Sequence, residues 1–136
     1  MRDRYHELVK QALIAEGWTI TDDPLYLDLA STTLEVDLGA ERLIAAEKGT
    51  EKIAVEIKSF LGHSTVSDFY KAMGQFNFYN LALEELEPSR VLYLAMPEAA
   101  YQDVRKEPVA QKAVERYRMR FIVYSLQQQI ITSWIE

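Results

Sequence analysis

The chain has 136 residues, 49% of them hydrophobic and 26% charged, which is typical of one globular domain with a sizeable core. Cysteine is absent, which excludes a disulfide framework and a thiolate zinc site. The lack of a long apolar run and of a signal peptide favours a cytoplasmic protein with no membrane span. The formal net charge of −6 argues against tight binding to nucleic acid without a metal ion.

The predicted elements begin with a helix, because apolar residues recur at helical spacing over residues 5–13. Asp3 is a suitable N-cap for this helix, and Gly17 is a suitable residue to end it. Residues 18–29 have the composition of an extended segment with a turn at Asp22-Asp23-Pro24. The first part of the chain is therefore predicted to be a helix followed by extended structure.

Two acidic strands carry the residues around which the chain is organised. Apolar and polar residues alternate over residues 34–38 and again over residues 53–58, which predicts two strands that each bury one face. Asp37 lies on the first strand, and Glu56 and Lys58 lie on the second. If these strands are neighbours in one sheet, the three side chains converge at one place.

The remaining elements are predicted from turn residues and periodicity. Residues 40–48 stay undecided between a separate strand and a loop, and residues 48–51 have the composition of a turn. A long helix over about residues 64–87, capped by Ser64 or Thr65 and stopped by Pro88, is apolar around nearly its whole circumference. Such a helix is buried in its domain or against a partner chain. A strand, two helices and a closing hairpin follow, over residues 90–96, 98–105, 108–118 and 119–135.

This order of elements predicts a mixed α/β fold with a central sheet flanked by helices. No repeat, low-complexity segment or linker divides the chain, so residues 1–136 are predicted to form one domain. The apolar helix and an unpaired edge strand in the closing hairpin favour self-association through the C-terminal half, most simply as a homodimer. Ile131 and Trp134 are predicted to lie on that surface.

The combination of Asp37, Glu56 and Lys58 suits metal-dependent phosphodiester hydrolysis. Carboxylates are hard oxygen ligands for Mg²⁺ or Mn²⁺. A nearby ammonium group can orient a water molecule or neutralise a developing phosphoryl charge. The residues alone leave an alternative open, in which Glu56 and Lys58 form an ion pair on a solvated strand. No glycine-rich phosphate loop is present, and His6 and His63 lack zinc spacing.

The order Asp37, then Glu56-x-Lys58, then a helix that carries Gln75-Phe76-Asn77-Phe78-Tyr79, resembles the PD-(D/E)xK nuclease superfamily. The helix matches the Q-x-x-x-Y motif of the RecB-like and resolvase-like branches. The resemblance implies a restriction-endonuclease-like three-layer core. It also implies that Asp37 and Glu56 bind Mg²⁺ or Mn²⁺, that Lys58 assists the attacking water and that Gln75 helps to position the site.

The first helix carries one more candidate. A glutamate on this helix often joins the metal site of these nucleases, and Glu7 is the residue in that place. Its spacing points it away from the apolar stripe, where a solvated side chain is expected. The chain departs from the superfamily motif at Val36, where a proline commonly precedes the first acid. The resemblance thus adds Glu7 to the candidate site, whereas the helical periodicity does not.

Longer stretches carry a closer resemblance, namely RYHELVKQALIAEGWTIT, VDLGAERLIAAEK, KIAVEIKSFLG and MGQFNFY. They are similar to the XisH family, the fdxN element excision controlling factors, which belongs largely to cyanobacteria. The resemblance implies an accessory role when a site-specific recombinase excises a DNA element during differentiation of nitrogen-fixing cells (heterocysts). It implies DNA, a companion XisI protein and the recombinase as partners.

Two functions remain open at this point. In the first, the protein is a metal-dependent endonuclease in which Asp37, Glu56 and Lys58 cleave or nick DNA. In the second, it is a non-cleaving nuclease-like scaffold that binds XisI or DNA. The clustered acids favour the first function, because a scaffold has no physical need for them. The acidic net charge and the accessory role favour the second.

Overall fold

A mixed sheet of six strands forms the centre of the computed structural model, which describes residues 3–45 and 49–136. The described strands are β1 (Thr19–Asp22), β2 (Leu25–Asp28), β3 (Thr33–Val36), β4 (Leu38–Ala45), β5 (Gly49–Ile57), β6 (Arg90–Pro97), β7 (Phe121–Ser125) and β8 (Ile130–Ile135). The described helices are α1 (His6–Ala15), α2 (Thr65–Leu86), α3 (Glu98–Lys106) and α4 (Pro108–Arg116).

The strand order in the central sheet is β1-β4-β5-β6-β7-β8. Strands β5, β6 and β7 run parallel, and the remaining neighbours run antiparallel. Helix α2 connects β5 to β6, and α3 with α4 connects β6 to β7. Strands β2 and β3 form a separate two-stranded sheet. The predicted mixed α/β fold with a central sheet flanked by helices is confirmed.

The core has two parts, one on each face of the central sheet. Helix α1 packs on one face, with Val9 and Leu13 against sheet residues that include Val55. Helices α2, α3 and α4 pack on the other face together with the β2–β3 hairpin. Strand β5 lies between these layers, and residues 53–57 are all buried. Burial on both faces is usual for a central parallel strand.

The burial of β5 corrects one prediction about Glu56. The alternating pattern predicts that this side chain lies on a solvated face, but it is only 6% exposed. The apolar residues Val55 and Ile57 face α1, and Ala54 belongs to the cluster under α2. Glu56 therefore lies on the face that α2 and the β2–β3 hairpin cover, at the end of a central strand.

The predicted acidic strand over residues 34–38 is divided at Asp37. Strand β3 ends at Val36 and pairs with β2, whereas β4 begins at Leu38 and pairs with β1 and β5. Val36 packs in the core under α2, and Leu38 packs in the core under α1. The chain thus crosses from one sheet to the other, which places Asp37 in the bend between them.

The undecided segment between the acids is now largely assigned. Residues 38–45 continue as one strand, and the register pairs Leu43 with Thr50. The predicted turn at residues 48–51 is wrong for residues 49–51, because β5 already begins at Gly49. Residues 46–48 lie outside the described residues. The two segments that carry Asp37 and Glu56 are therefore direct neighbours in an antiparallel pair.

The helix boundaries follow the predicted signals with one exception. Ser64 caps α2, since its side chain accepts a hydrogen bond from the Ser67 amide at 3.2 Å, and Gly17 follows α1 with φ +94°. Asp3 is not the N-cap of α1. Its carboxylate instead accepts from the amides of Tyr5 at 2.9 Å and Ser59 at 3.0 Å. Asp3 thereby ties the start of α1 to the segment after β5.

The apolar composition of α2 predicts burial around its whole circumference, but only one face of α2 is buried within the domain. Its inner face packs in the core through residues that include Phe69, Phe76 and Leu83. Its outer face leaves large apolar side chains exposed, namely Val66, Tyr70, Phe78 and Leu81. The predicted self-association, most simply a homodimer, stays a prediction. No helix in the described part of the chain is both long and apolar enough to cross a membrane.

The closing hairpin of β7 and β8 contributes more buried side chains to the core than predicted. Strand β8 is an edge strand, but Ile131 is only 8% exposed and packs in the core under α1. Trp134 stacks on Trp18 with ring centroids 5.6 Å apart and donates from Nε1 to Glu16 at 2.9 Å. The prediction of a partner surface is wrong for Ile131, because its side chain is buried in the core. Trp134 is only partly buried, so its contact with a partner stays a prediction.

This packing yields a matched pair of substitutions. We expect Ile131→Asp to lower the free energy of unfolding by about 3 kcal/mol or more, because it places a carboxylate in an apolar core. Ile130→Asp should cost far less, since Ile130 is 46% exposed. Urea unfolding of the two variants measures the difference. Similar losses of stability for both variants would contradict the assignment of Ile131 to the core.

Candidate functional site

An open cleft of about 530 Å³ lies where β5 ends, beside α2 and the β3–β4 bend. Four residues predicted for the site line this cleft, namely Asp37, Glu56, Lys58 and Gln75. Each comes from a different part of the fold. Asp37 lies in the bend between β3 and β4, Glu56 is the penultimate residue of β5, Lys58 follows β5, and Gln75 lies in the middle of α2. The fold therefore brings together side chains that are far apart in the sequence.

The two acids hold each other's backbone. The Asp37 amide donates to Glu56 Oε1 at 3.3 Å, and the Ile57 amide donates to Asp37 Oδ2 at 2.7 Å. Each carboxylate thus bonds to the segment that carries the other one. These bonds begin where the β4–β5 pairing ends at Leu38 and Val55. They fix the separation of the two acids before any ligand binds.

Lys58 completes the polar group at the end of β5. Its Nζ lies 3.6 Å from Glu56 Oε2, and its side chain is 35% exposed. The backbone of Lys58 is held on both sides, because its amide donates to Ala95 O at 2.9 Å and Tyr124 Oη donates to its carbonyl at 3.2 Å. A fixed backbone with a partly exposed ammonium group can reach both the acids and a ligand in the cleft.

The helix α2 contributes an amide and a phenol to the same cleft. Gln75 Nε2 donates to Tyr79 Oη at 2.8 Å, as expected for residues one helical turn apart. Both residues line the cleft with the acids. The hydrogen bond leaves the Gln75 carbonyl oxygen available as an acceptor. It also orients Tyr79, whose ring is buried in the core under α2.

Comparisons with known proteins agree on one family. The model of the XisH protein family matches residues 1–132. The chain belongs to the XisH family.

A solved structure of an XisH family protein from Nostoc punctiforme PCC 73102 is 38% identical in sequence to this chain, with a TM-score of 0.87. The match covers 98% of this chain and 100% of that one. A fdxN element excision controlling factor protein from Anabaena variabilis is 41% identical, with a TM-score of 0.87 and coverage of 99% and 100%. No curated protein matches this chain.

Burial and charge make the acid pair of this XisH chain costly without a counter-ion. Burial, and after it the negative charge of Asp37, raise the pKa of Glu56 from its ordinary 4.5 to about 8. The Lys58 ammonium opposes this shift but does not cancel it. Near neutral pH the metal-free site therefore favours a protonated Glu56 beside an acid that has a backbone hydrogen bond. A cation between them would favour the ionised form.

Tyr79 experiences the same electrostatic field. Burial raises its pKa above the ordinary value of 10, and the nearby charge of Glu56 acts in the same direction. The hydrogen bond from Gln75 lowers it in part. Tyr79 therefore remains a neutral phenol at physiological pH. In this XisH chain it can donate or accept a hydrogen bond in the cleft but does not serve as a base.

The structure places Glu7 away from the cleft. It lies exposed on the outer side of α1, where its Oε1 accepts from Gln11 Nε2 at 3.1 Å, and it does not line the cleft. The position that the superfamily resemblance implied for Glu7 therefore differs from the one observed. The physical reason is helix periodicity, since Val9 and Leu13 are the buried residues of α1 and Glu7 lies off that face.

The residue of α1 that reaches the acids is His6, which the sequence reasoning missed. It is 3% exposed, and its Nε2 lies 2.7 Å from Asp23 Oδ1. Its Nδ1 has no hydrogen-bond partner among the described residues and lies 4.0 Å from Asp37 Oδ1. Lys10 Nζ bonds to the other oxygen of Asp23 at 2.8 Å. The spacing of His6 from Val9 and Leu13 was the available signal, because it puts His6 on the buried face.

The negative charge of Asp23, which lies behind Asp37, is balanced by its contacts with Lys10 and His6. Burial alone would raise the pKa of Asp23, but hydrogen bonds from Lys10 and His6 outweigh it and lower the pKa. Asp23 is therefore ionised and holds the His6 ring in place. His6 in turn fills the space behind Asp37. The XisH site thus has a supporting layer of His6, Asp23 and Lys10 that the motif comparison did not include.

Substitutions at neighbouring positions of α1 test this supporting role. We expect His6→Ala to weaken Mn²⁺ binding by about tenfold or more, as removal of an outer-layer partner usually does. Glu7→Ala should leave the affinity unchanged. His6→Asn should recover part of the affinity, because an amide can still donate to Asp23. Isothermal titration with Mn²⁺ gives the values. Equal losses for the His6 and Glu7 variants would show that α1 acts on the fold alone.

The donor set of the XisH cleft suits a hard divalent cation. No group of three or more His, Asp and Glu side chains in the described ranges is arranged as a complete metal cage. Mg²⁺ does not require one, since it keeps several waters and binds through one or two carboxylates plus substrate phosphates. Asp37 and Glu56 provide these two carboxylates, and the raised pKa of Glu56 shows that a positive charge would be stabilising there. These two residues would hold the ion.

Proposed function

We propose that this XisH-family chain is a metal-dependent endodeoxyribonuclease of the PD-(D/E)xK type, with a restriction-endonuclease-like core. The observation that carries the proposal is the convergence of Asp37, Glu56 and Lys58 in one cleft. The fold buries Glu56 beside another acid despite the electrostatic cost. A bound cation would offset that cost, and it would also bind the phosphate group of a phosphodiester substrate. The order of these residues, followed by Gln75 on α2, is also that of the nuclease motifs.

Hydrolysis at this site needs only water as co-reactant. The water oxygen forms a bond to phosphorus while the bond from phosphorus to the leaving sugar oxygen breaks. The leaving oxygen takes up a proton, and the products are a phosphate monoester end and a hydroxyl end. A divalent cation, when bound, would polarise the phosphate and lower the pKa of its water. Asp37 and Glu56 would bind that cation and orient its waters.

Lys58 and Gln75 have separate tasks in this proposal. Lys58 neutralises charge that develops on the phosphoryl oxygens and orients the attacking water, which an ammonium group 3.6 Å from Glu56 can do. Gln75 has a free carbonyl oxygen after its bond to Tyr79, and this oxygen can accept from a water or a sugar hydroxyl. His6 acts behind Asp37 as a positioning residue.

The biological setting that we propose is supported by the name of a relative, a fdxN element excision controlling factor protein. We place this chain in excision of a DNA element, as an accessory to a site-specific recombinase and with a XisI-like companion. DNA is then both substrate and partner. Mg²⁺ or Mn²⁺ is the expected cofactor. A nicking or end-processing step is a reaction that such an accessory factor can supply.

A second function is favoured by a specific observation. The carboxylates of Asp37 and Glu56 already accept hydrogen bonds from the Ile57 and Asp37 amides, respectively. The acids therefore have a structural role at the end of the β4–β5 pair. In this alternative the chain is a non-cleaving nuclease-like scaffold that binds DNA or a XisI-like protein. The alternative predicts no hydrolysis and no specific Mn²⁺ binding at the acids.

The experiment that separates these functions is a plasmid nicking assay with Mg²⁺ or Mn²⁺. We expect nicking by the natural protein and a loss of about 10²-fold or more in Asp37→Asn, since the substitution removes one of two metal ligands. Asp28→Asn is the matched control, because Asp28 is exposed at the end of β2 and does not line the cleft. Nicking that persists at the same rate in Asp37→Asn would assign the activity to a contaminant.

A further inference from the structure

The basic residues of the chain are distributed unevenly. Residues 105–120 contain six of the 15 lysines and arginines but only two of the 21 acids, a local net charge of +4. The rest of the chain contains nine basic and 19 acidic residues, a net charge of −10. A protein with acidic overall charge thus carries one concentrated positive segment. That segment covers the end of α3, all of α4 and the turn that follows.

Five of these side chains form the basic surface of the molecule, all of them on exposed residues: Arg105, Lys106, Lys112, Arg116 and Arg118. Helices α3 and α4 pack on each other and are joined by Glu107 alone. None of the five makes an ion pair within the described residues. Six other basic or histidine side chains there do lie within ion-pair distance of an acid, namely His6, Lys10, Arg42, Lys52, Lys58 and Arg90. Their charge is therefore directed to solvent.

Two features of the basic surface are unfavourable for the isolated fold. Lys112 and Arg116 are four residues apart on α4, where like charges repel. Arg118 has φ +50°, and the Arg118 and Met119 amides bond to Glu115 O at 3.3 Å and Val114 O at 3.1 Å. This is the helix-ending arrangement in which glycine is the usual residue. The chain keeps an arginine there, although its Cβ makes this backbone conformation unfavourable.

From these observations we infer that the basic surface of α3 and α4 binds the phosphate backbone of duplex DNA. Clustered, unpaired lysine and arginine side chains are the electrostatic footprint of such a surface. Tyr117, 45% exposed between two arginines, adds a flat apolar group beside the charges. Helix α2 separates this surface from the acidic cleft, since it contacts β2 as well as α3 and α4.

The choice of DNA over another polyanion rests on the proposed function, but the surface acts independently of the metal. An acidic cleft repels phosphates until a cation is bound, so initial attachment needs a positive region elsewhere. The net charge of the whole chain predicts weak binding without metal. The basic surface predicts metal-free binding that weakens steeply with salt, because each phosphate contact releases bound counter-ions.

The test is fluorescence anisotropy of a labelled DNA duplex in EDTA, over a series of salt concentrations. We expect Lys112→Gln/Arg116→Gln to lower the affinity about tenfold at low salt and to reduce the slope of log affinity against log salt by about 2. The matched control, Arg42→Gln/Lys52→Gln, removes the same charge from side chains that are 43% and 41% exposed on β4 and β5. It should retain the affinity. Equal losses in both pairs would overturn the inference.

A second pair of variants separates binding from folding. Arg118→Gly should raise the thermal midpoint and still weaken duplex binding severalfold, because it relieves the backbone and removes a charge. Gln129→Gly is the control, since Gln129 also has positive φ, 58°, but carries no charge. It should raise the midpoint and leave binding intact. Unchanged duplex affinity in Arg118→Gly and in Lys112→Gln/Arg116→Gln would overturn the inference, as would a natural protein that binds anionic vesicles or acidic proteins but no duplex in EDTA.

These results are independent of the proposed hydrolysis. Duplex binding is measured in EDTA, where no metal-dependent hydrolysis occurs, so its outcome does not depend on whether the cleft is catalytic. Loss of nicking with retained metal-free binding therefore concerns the acidic cleft alone. Retained nicking with loss of salt-sensitive binding in the α4 variants concerns the basic surface alone.

Discussion

Replacement of Glu56 by Gln is expected to stabilise the metal-free protein by on the order of 5 kcal/mol at pH 9 and to leave its stability nearly unchanged at pH 4. In the folded chain the pKa of Glu56 is raised to about 8, chiefly by burial and then by Asp37, from an ordinary 4.5. Between these pH values the folded state binds more protons at this group than the unfolded state. Stability from this group therefore falls as pH rises from about 4.5 to about 8 and stays low above it.

Glutamine resembles the protonated acid at every pH. The stability of Glu56→Gln should therefore not decrease between about pH 4.5 and pH 8 as that of the natural protein does. Urea unfolding at several pH values, in EDTA, gives the comparison. Mn²⁺ should raise the thermal midpoint of the natural protein at pH 8 and have no such effect on the variant. If Glu56→Gln is instead much less stable than the natural protein at every pH, then Glu56 is half of a structural ion pair with Lys58. Glu51→Gln is a suitable control, since Glu51 pairs with exposed Arg42.

The replacement of Lys58 by Met should lower the rate of DNA hydrolysis by about 10²- to 10³-fold, the usual cost of losing one group that stabilises the transition state. Methionine keeps the length of the side chain and removes only the ammonium group. The backbone bonds of Lys58 to Ala95 and Tyr124 do not involve the side chain, so the fold should be retained. Mn²⁺ binding should persist, because both acids remain.

The matched control for Lys58 lies on β5, the strand that immediately precedes Lys58. Lys52→Met removes an ammonium group that pairs with Glu41 at 3.8 Å, outside the cleft. Single-turnover nicking rates with saturating Mn²⁺ separate the chemical step from DNA binding. Equal rates for Lys58→Met and the natural protein would remove Lys58 from the proposed mechanism. A parallel loss in Lys52→Met would indicate weakened DNA attachment instead of a lost catalytic group.

The sequence contained enough information for the core elements and for the convergence of the acids. The alternation of apolar residues in β5 and the capping residue Ser64 each have a direct local cause. Asp37 and Glu56 lie on segments that a short connection makes antiparallel neighbours. Local patterns of this kind are readable without a structure, because the period of a strand or helix does not depend on distant residues.

Other features depend on contacts that local patterns do not encode. The division of the acidic strand at Asp37 arises because Val36 and Leu38 join cores on opposite faces of the sheet. Alternation alone would put both on one face. His6 escaped notice because its partner Asp23 is 17 residues away and only the fold brings them within 2.7 Å. The stacking of Trp134 on Trp18 likewise joins residues 116 positions apart in the sequence, which no local pattern indicates.

The most direct test of the acidic cleft is a crystal soaked in Mn²⁺, with anomalous diffraction data collected to locate the metal. We expect an anomalous peak within ligand distance of both the Asp37 and the Glu56 carboxylates, and no such peak in crystals of Glu56→Gln. Exposed Glu7 should have no metal contact. An absence of Mn²⁺ at the two acids in well-diffracting soaked crystals, or a peak unchanged by Glu56→Gln, would contradict the central claim.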